Sequence, residues 1–397
     1  MTLNRPIFDY FSYAFRRDVD KFFIAFAIRN LAVGMVLIFE PIYLYVYFGH
    51  SLPLTFLYFA AIYIIAGLVS ILGAKIMGRL GPHANILISY PFLFAYYASL
   101  FLLPHSPYFL AAAIFFAPVS IVLFWPAFHV DFVRFSSSQS RGKEVGLINV
   151  VAVLPAIAAP FIGGWVITSF GYPPLFIMVL LLLLASGIPL LYAKQTHESY
   201  ADSYGAVFRK ILSPGNWRRE AVFAAASSEI GINLYVWPLF LFSLAIGFSA
   251  IGGIAAFSLF ASGIFMLYVG RISDTPDRPW LLNVGAVMTS VSWVFKYFVR
   301  TPFDALLTDT IYRVSRSSAA IPYQTLFYER AAQQGGKADE YIVFREVVSS
   351  LARGFTFLTL AGLFVFLPHL SINSIFFGGA VISLGFLLFS NLPTMKS

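Results

Sequence analysis

The feature that most constrains this chain is a series of apolar segments, each long enough to cross a lipid bilayer as a helix. A bilayer core about 30 Å thick needs about 20 helical residues per crossing. Twelve such segments, which we number as spans one to twelve, lie near residues 22–47, 53–75, 84–104, 107–129, 145–169, 172–193, 221–245, 248–270, 279–300, 303–327, 343–367 and 372–392. Span ten is the least apolar, and we retain it because the alternation of loop charge requires it.

Composition supports an all-α membrane protein. Hydrophobic residues make up 59% of the 397 residues and charged residues only 11%, against about a quarter charged in soluble domains. A water-soluble fold cannot bury that much apolar surface. The sequence therefore predicts that the lipid bilayer is the natural environment of the chain.

Lysine and arginine are confined almost entirely to alternate loops. If the amino terminus is placed in the cytoplasm, nineteen of these residues fall on the cytoplasmic side and only Arg300 on the other. The positive-inside rule then predicts a protein of the plasma or inner membrane with both termini in the cytoplasm. The net charge of +8 is therefore a topology signal. The basic residues form no patch interleaved with aromatics, so no nucleic-acid partner is expected.

The two halves of the chain are similar to each other. At an offset of about 196 residues the matches include Pro126 with Pro322, Arg134 with Arg330, Glu144 with Glu340, and Pro41–Tyr45 with Pro238–Phe242. Six spans separate the copies, so they have the same orientation and form parallel repeats. We predict an N-terminal six-helix bundle over 1–193, a cytoplasmic linker over 194–220 and a C-terminal six-helix bundle over 221–397.

Two local motifs add to this organisation. The loop after span eight carries Gly270, Asp274 and Arg278 in the pattern G-x-I-x-D-x-x-D-R, and span five carries Pro160 followed by Gly163-Gly164. These residues, the twelve spans and the parallel repeats resemble the major facilitator superfamily, with its G-x-L-x-D-R-x-G-R loop and its span-five antiporter motif. The resemblance implies a monomeric secondary transporter that works by alternating access, and the span-five motif favours export.

Charged residues inside spans cost about 2.5–3.5 kcal/mol each on insertion scales, so each needs a reason. The resemblance implies that spans one, four, seven and ten line a central cavity, and polar residues share one face in three of them. The candidates to bind a small-molecule substrate are Arg29, Asn30, Glu229, Asn233, Trp237, Arg313, Arg316 and Arg353. The candidates to carry a coupled proton are Glu40, Glu229 and Asp309.

The alternative is that these charges neutralise each other and never meet a substrate. The pairs to expect are Asp309 with Arg313, which are four residues apart on one helix, and Glu229 with Arg313 or Arg353. Charges of the cytoplasmic loops are candidates for gates that break and reform during transport, as the resemblance implies. These are Asp274, Arg278, Arg134, Glu144, Arg330 and Glu340. Solvated loop charge is the alternative for them.

Several classes of function are excluded or disfavoured. The chain has no P-loop, so ATP-driven transport is not expected, and no nucleophile–base pair or metal-ligand cluster indicates an enzyme. No cofactor or metal is predicted. The excess of arginine favours a small organic anion, zwitterion or amphiphile, since arginine recognises carboxylate and phosphate groups. We predict a secondary transporter with proton coupling as the candidate driving force. The alternatives are an importer or facilitator of an organic anion and a non-transporting sensor on the same scaffold.

Overall fold

The computed structural model describes residues 17–135, 141–188, 200, 204–211, 213–272 and 278–390, and every regular element in this part of the chain is helical. Spans one to six are the helices Arg17–Leu37 with Glu40–Tyr47, Leu52–Leu80, Pro82–Leu102, Tyr108–Phe135, Arg141–Phe170 and Tyr172–Gly187. Spans seven to twelve are Trp217–Gly231 with Ile232–Val236 and Trp237–Ser243, then Phe248–Ile272, Arg278–Tyr297, Pro302–Gln333, Ala338–Phe366, and Ile375–Ser383 with Leu384–Phe386 and Leu387–Ser390. Each of the twelve predicted spans is therefore helical over the residues that the structure describes.

The helices have the length and composition of a membrane protein. Among the described residues, seven helices are long and apolar enough to cross a bilayer, and the helices Pro155–Phe170 and Tyr172–Gly187 are shorter apolar ones. Spans seven, nine and ten are not among them. The charges of span ten lower its hydropathy, yet its helix runs over 32 residues from Pro302 to Gln333. Loop charge was therefore the better guide to this span.

Proline divides spans one and seven at matching places. Pro41 has no backbone N–H, and the first helix ends at Leu37 before a second begins at Glu40. In span seven, Pro238 follows a π-helical turn over Ile232–Val236 that separates two α-helical segments. Both breaks lie just before the segments that align at the repeat offset, Pro41–Tyr45 and Pro238–Phe242, so the two halves share this irregularity as well as their helices.

The helix packing confirms the parallel repeat. In the first half, span two packs against span four, span three against span four, and span one against span five. Adding six to each number gives three pairs that also pack in the second half, namely eight with ten, nine with ten, and seven with eleven. The halves meet where span two contacts span eleven and span five contacts span eight, and these two contacts are related by the same symmetry.

Glycine makes the close approach at this interface possible. A Cβ atom added to Gly252 on span eight would lie 2.2 Å from the carbonyl oxygen of Pro160 on span five. A Cβ atom added to Gly354 on span eleven would lie 2.8 Å from the backbone nitrogen of Ile64 on span two. Neither position can accept a side chain unless the two halves move apart.

We therefore expect Gly252→Ala to destabilise the protein by about 1–3 kcal/mol, the usual cost of overpacking. Its neighbour Gly253 is the matched control, because a Cβ atom there would meet nothing within 4 Å. Alanine at 253 should be neutral or slightly stabilising, since alanine favours a helix over glycine. Thermal unfolding of the purified protein in detergent measures both, and equal losses in the two variants would contradict this account of the interface.

The described part of the segment between the halves contains a short amphipathic helix, as the sequence indicates near residues 207–212. This helix, Tyr204–Ile211, buries Val207 and exposes Arg209 and Lys210. Tyr200 lies against Gly78 at the end of span two, where a Cβ atom would approach its backbone nitrogen to 2.7 Å. The three domain boundaries, 1–193, 194–220 and 221–397, stay a prediction.

Candidate functional site

A cavity of about 480 Å³ lies between the two halves. Spans one to four line one wall, and spans seven, ten, eleven and twelve line the other. Most of its lining is apolar or aromatic, with a small number of charged side chains. This is the size and the lining that proteins use to hold a small organic molecule.

Arg29 of span one reaches this cavity without an ionic partner. Its guanidinium carbon lies 3.7 Å from the centre of the Phe124 ring, and the residue is 8% exposed. The buried Nε atom has no hydrogen-bond partner. No carboxylate among the described residues lies within ion-pair distance of Arg29, so its charge is available to a ligand.

Arg353 of span eleven is the cavity arginine of the second half that also lies outside any ion pair in the described residues. Its Nε donates to the carbonyl oxygen of Ser227 at 3.2 Å, and its guanidinium lies 4.6 Å from the centre of the Tyr63 ring. The Tyr63 hydroxyl is 2.6 Å from that of Tyr235 on span seven. In the described chain Arg353 also lacks a carboxylate partner, so each half contributes one arginine whose charge is not neutralised.

Glu40 is a buried carboxyl of the same cavity. It lies at the helix break of span one, is 3% exposed, and accepts a hydrogen bond of 2.6 Å from the Tyr96 hydroxyl. Tyr58 donates in turn to Tyr96 at 3.3 Å. No lysine or arginine of the described residues forms an ion pair with Glu40, which distinguishes it from the other acidic residues at the cavity.

The remaining cavity arginines are paired. The Nε atom of Arg316 donates to Glu229 Oε2 at 2.8 Å, and Arg345 lies 2.7 Å from Glu346 Oε1. Glu229 is fully buried behind the cavity wall. Its second oxygen accepts hydrogen bonds of 2.5 and 3.2 Å from Tyr312 and Trp293.

The two halves contact each other on both sides of the cavity. On the side where span one begins, which we call the terminal side, His129 Nδ1 lies 2.6 Å from the Tyr328 hydroxyl and Arg345 donates to His129 Nε2 at 2.9 Å. Arginine can only donate, so Nε2 accepts and the ring hydrogen is on Nδ1. On the far side, the rings of Tyr45 and Phe242 pack with centroids 6.4 Å apart.

A second charged cluster is buried beside the cavity in the C-terminal half. Lys296 of span nine is 0% exposed; its Nζ donates to Asn233 Oδ1 at 2.8 Å and to Asp309 Oδ1 at 3.3 Å. The other oxygen of Asp309 accepts from Arg313 at 2.7 Å. The ammonium group also faces three aromatic rings at 3.8–4.7 Å, those of Tyr312, Trp237 and Trp293.

The structure divides the predicted site residues into two groups. The residues that line the cavity are Arg29, Asn30, Glu40, Arg316 and Arg353. The residues that lie outside its lining, in the buried pairs and clusters, are Glu229, Asn233, Trp237, Asp309 and Arg313. A direct contact of this second group with substrate stays a prediction.

Of the expected ion pairs, Asp309 with Arg313 is confirmed. The prediction for Glu229 was wrong, because its partner is Arg316 and neither Arg313 nor Arg353. Arg316 is one turn further along span ten than Arg313, and Asp309 already holds Arg313 within that helix.

The structure describes the side chains of only two of the six predicted gating residues, Arg330 and Glu340. Asp274 lies outside the described residues, and the side chains of Arg134, Glu144 and Arg278 lie outside the described part as well. Arg330 lies over the Phe389 ring of the C-terminal half at 4.3 Å, and Glu340 is buried, with 8% of its surface exposed. A gating role for all six residues stays a prediction.

Sequence reasoning missed three polar residues, Lys296, His129 and Arg345. Lys296 had a usable signal, since a lysine near the far end of an apolar span runs against the positive-inside rule. Arg345 and Glu346 are adjacent in sequence, and adjacent residues do not usually face each other on a helix, so the sequence did not suggest that they pair. The partners of His129 are about 200 residues away in the chain, so no local pattern could have indicated them.

Comparisons with known proteins agree with this architecture. A family model described as Major Facilitator Superfamily matches residues 104–338. A comparison with curated protein sequences finds no match.

Three solved structures share the fold. The human organic anion transporter MFSD10 (TETRAN) superposes with a TM-score of 0.70 at 13% identity, over 94% of this chain and 99% of that one. A variant of the E. coli fucose:proton symporter FucP gives 0.66 at 14%, over 94% and 98%. FucP in the outward conformation gives 0.64 at 14%, also over 94% and 98%. Identities this low establish a common fold and nothing finer.

Proposed function

The chain belongs to the major facilitator superfamily, whose model matches more than half of it, and on that premise we propose that it is a proton-coupled secondary transporter of a small organic anion. It is an integral membrane protein. We further propose, from the loop charges, that it acts as a monomer in the plasma or inner membrane with both termini in the cytoplasm. The transport class follows from the family, whereas substrate and coupling rest on the cavity.

The observation that carries the substrate class is the pair of cavity arginines without ionic partners, Arg29 and Arg353. An unneutralised charge in a membrane span costs several kcal/mol unless water or a ligand compensates it. A guanidinium group is also the side chain best suited to a carboxylate or phosphate. The similarity in fold to a transporter whose title names organic anions adds to this proposal.

Glu40 is the proposed proton carrier. Of the three candidate carboxyls, Glu229 and Asp309 are held by arginine or lysine in the described structure, whereas Glu40 accepts only from a tyrosine hydroxyl. A carboxylate paired with a cation has little tendency to take up a proton, and a buried carboxylate without one is costly. Protonation of Glu40 therefore removes a buried charge and breaks no ion pair.

The charges of the cavity favour symport. A proton on Glu40 adds positive charge to the same cavity that binds the anion. The proton therefore strengthens binding of the anion, and the anion strengthens binding of the proton by the same factor. Uptake with protons is then the direction that an inward proton gradient drives. Export was favoured only by the motif of span five. The glycines of that motif are required for packing, since a Cβ atom at Gly163 would lie 2.0 Å from the carbonyl oxygen of Met35.

The proposal is tested with purified protein in liposomes. Counterflow of labelled organic anions should exceed that of neutral sugars and of organic cations, and Arg29→Gln should lower it more than about tenfold, the effect of losing about 1.4 kcal/mol of binding. Arg300→Gln, on the exposed far side, is the matched control and should stay within about twofold. Binding of anions without any counterflow would indicate a sensor and overturn the proposal. Preferred transport of a sugar or a cation would do the same.

A further inference from the structure

The charge balance of the cavity indicates a narrower class of substrate than organic anions in general. We propose that the substrate is a dianion with two separate anionic groups, one bound by Arg29 and the other by Arg353, and that it enters with a proton on Glu40. This inference rests on the proposed function, because it specifies the anion that the cavity would transport.

Most charges that line the cavity cancel within the protein. Arg316 is neutralised by Glu229, and Arg345 by Glu346. His129 is neutral in this arrangement, because its Nε2 accepts from Arg345 and so carries no hydrogen. Within the described lining, the charges that remain belong to Arg29, Arg353 and Glu40.

Glu40 does not cancel either of the two free arginines. It forms no ion pair with them, and its hydrogen bond goes to Tyr96. With a proton on Glu40, the cavity carries two positive charges that only a ligand can neutralise. A monoanion would leave one buried arginine unpaired, whereas a dianion would pair both.

The positions of the two arginines favour two separate anionic groups over one doubly charged group. Arg29 belongs to span one and Arg353 to span eleven, so they belong to different halves. Each guanidinium is held against its own aromatic ring, that of Phe124 or Tyr63, and neither is placed by the other. A substrate with an anionic group at each end would also connect the two halves, which move relative to each other during alternating access.

The remaining lining specifies what lies between the two groups. Side chains such as Phe59, Ile62, Leu93, Ile121 and Leu234 give the cavity an apolar wall. Such a wall favours a hydrocarbon or aromatic body between the two anionic groups. An α,ω-dicarboxylate with a carbon chain is the simplest molecule of this class.

The test uses the purified full-length chain near neutral pH and compares each dicarboxylate, from succinate to sebacate, with its own monomethyl ester. The ester has nearly the same shape and one charge fewer, so the ratio of the two affinities isolates the second charge. We expect one chain length at which the diacid binds at least about tenfold more tightly than its ester, measured by calorimetry or by the shift in thermal unfolding. Arg353→Gln should reduce that ratio to about one.

The possible outcomes separate the two proposals. If every monoester binds as tightly as its diacid, the dianion inference fails and anion transport stands. If phenyl phosphate binds more tightly than any diacid, the inference of two separate groups fails. If no acid of the series binds, the proposed function fails and the inference fails with it. The comparison of ligands uses the unmodified protein, so it holds even if the arginine variant does not fold.

Discussion

Replacing Glu40 with glutamine is expected to abolish proton-driven accumulation of the anion while exchange of the anion across the membrane continues. Glutamine has nearly the shape of a protonated glutamate and keeps an oxygen that can accept from the Tyr96 hydroxyl, which lies 2.6 Å from Glu40. It cannot release a proton. The cavity then stays in its proton-loaded charge state, so the anion binds and moves without a proton accompanying it.

The expected loss is large because, with the membrane potential held at zero, the pH difference is the only driving force. One pH unit corresponds to about 1.4 kcal/mol for each proton, so it supports about tenfold accumulation in the unmodified protein and none in Glu40→Gln. Uptake into liposomes with an imposed pH difference measures accumulation, and counterflow without one measures exchange. Glu220→Gln is the matched control, because Glu220 lies in the first turn of span seven and outside the cavity lining. Undiminished accumulation in Glu40→Gln would exclude Glu40 as the proton carrier.

The fold was predictable to a large extent because a membrane restricts what a chain can do. Each crossing must be a helix of at least about 20 residues, so twelve apolar segments already define twelve helices. Span ten shows the value of a second, independent signal. Its charges hide it from hydropathy, whereas the loop charges on either side require it, and its helix extends from Pro302 to Gln333.

The cavity was harder to predict because pairing between helices decides which charges are free. The spacing of four residues within one helix was enough to predict the pair of Asp309 and Arg313. The partner of Glu229 lies on another helix, and the sequence suggested Arg313 of span ten or Arg353 of span eleven. The structure shows that the partner is Arg316, whose Nε lies 2.8 Å from Glu229 Oε2.

For the same reason the sequence could not show that Arg29 and Arg353 lack partners. The number of arginines in the spans favours an anionic substrate, but it does not show which of these arginines would bind the anion. The structure reduces four cavity arginines to two, because Arg316 and Arg345 are each held by a glutamate. The chemical argument for an anion therefore became specific only after the ion pairs were known.

The buried cluster around Asp309 gives the largest expected effect on stability. Asp309 is fully buried between Lys296 and Arg313. Asp309→Asn leaves the buried Lys296 and the half-buried Arg313 without a counter-charge, which should cost about 3–5 kcal/mol, the usual loss when one partner of a buried pair is removed. Lys296→Met, by contrast, leaves the neutral pair of Asp309 with Arg313 in place. It removes the bonds of Lys296 to Asp309 and Asn233 and its contacts with aromatic rings. Loss of a buried ammonium group, which is costly to desolvate, offsets part of this, so we expect a net cost of about 1–2 kcal/mol.

The two substitutions combined should therefore be more stable than Asp309→Asn alone, because the second change removes one of the two stranded cations. Thermal unfolding in detergent of the three variants and the parent measures the order. We expect the parent to be most stable, then Lys296→Met, then the double variant, and Asp309→Asn to be least stable. If charge balance governs the cluster, Lys296→Met should stabilise the Asp309→Asn variant and destabilise the parent, because removing a cation helps only where its counter-charge is already lost. If Lys296→Met costs as much as Asp309→Asn and the two losses add, the cluster is held by the packing of Lys296 among its aromatic rings, and charge balance does not govern it.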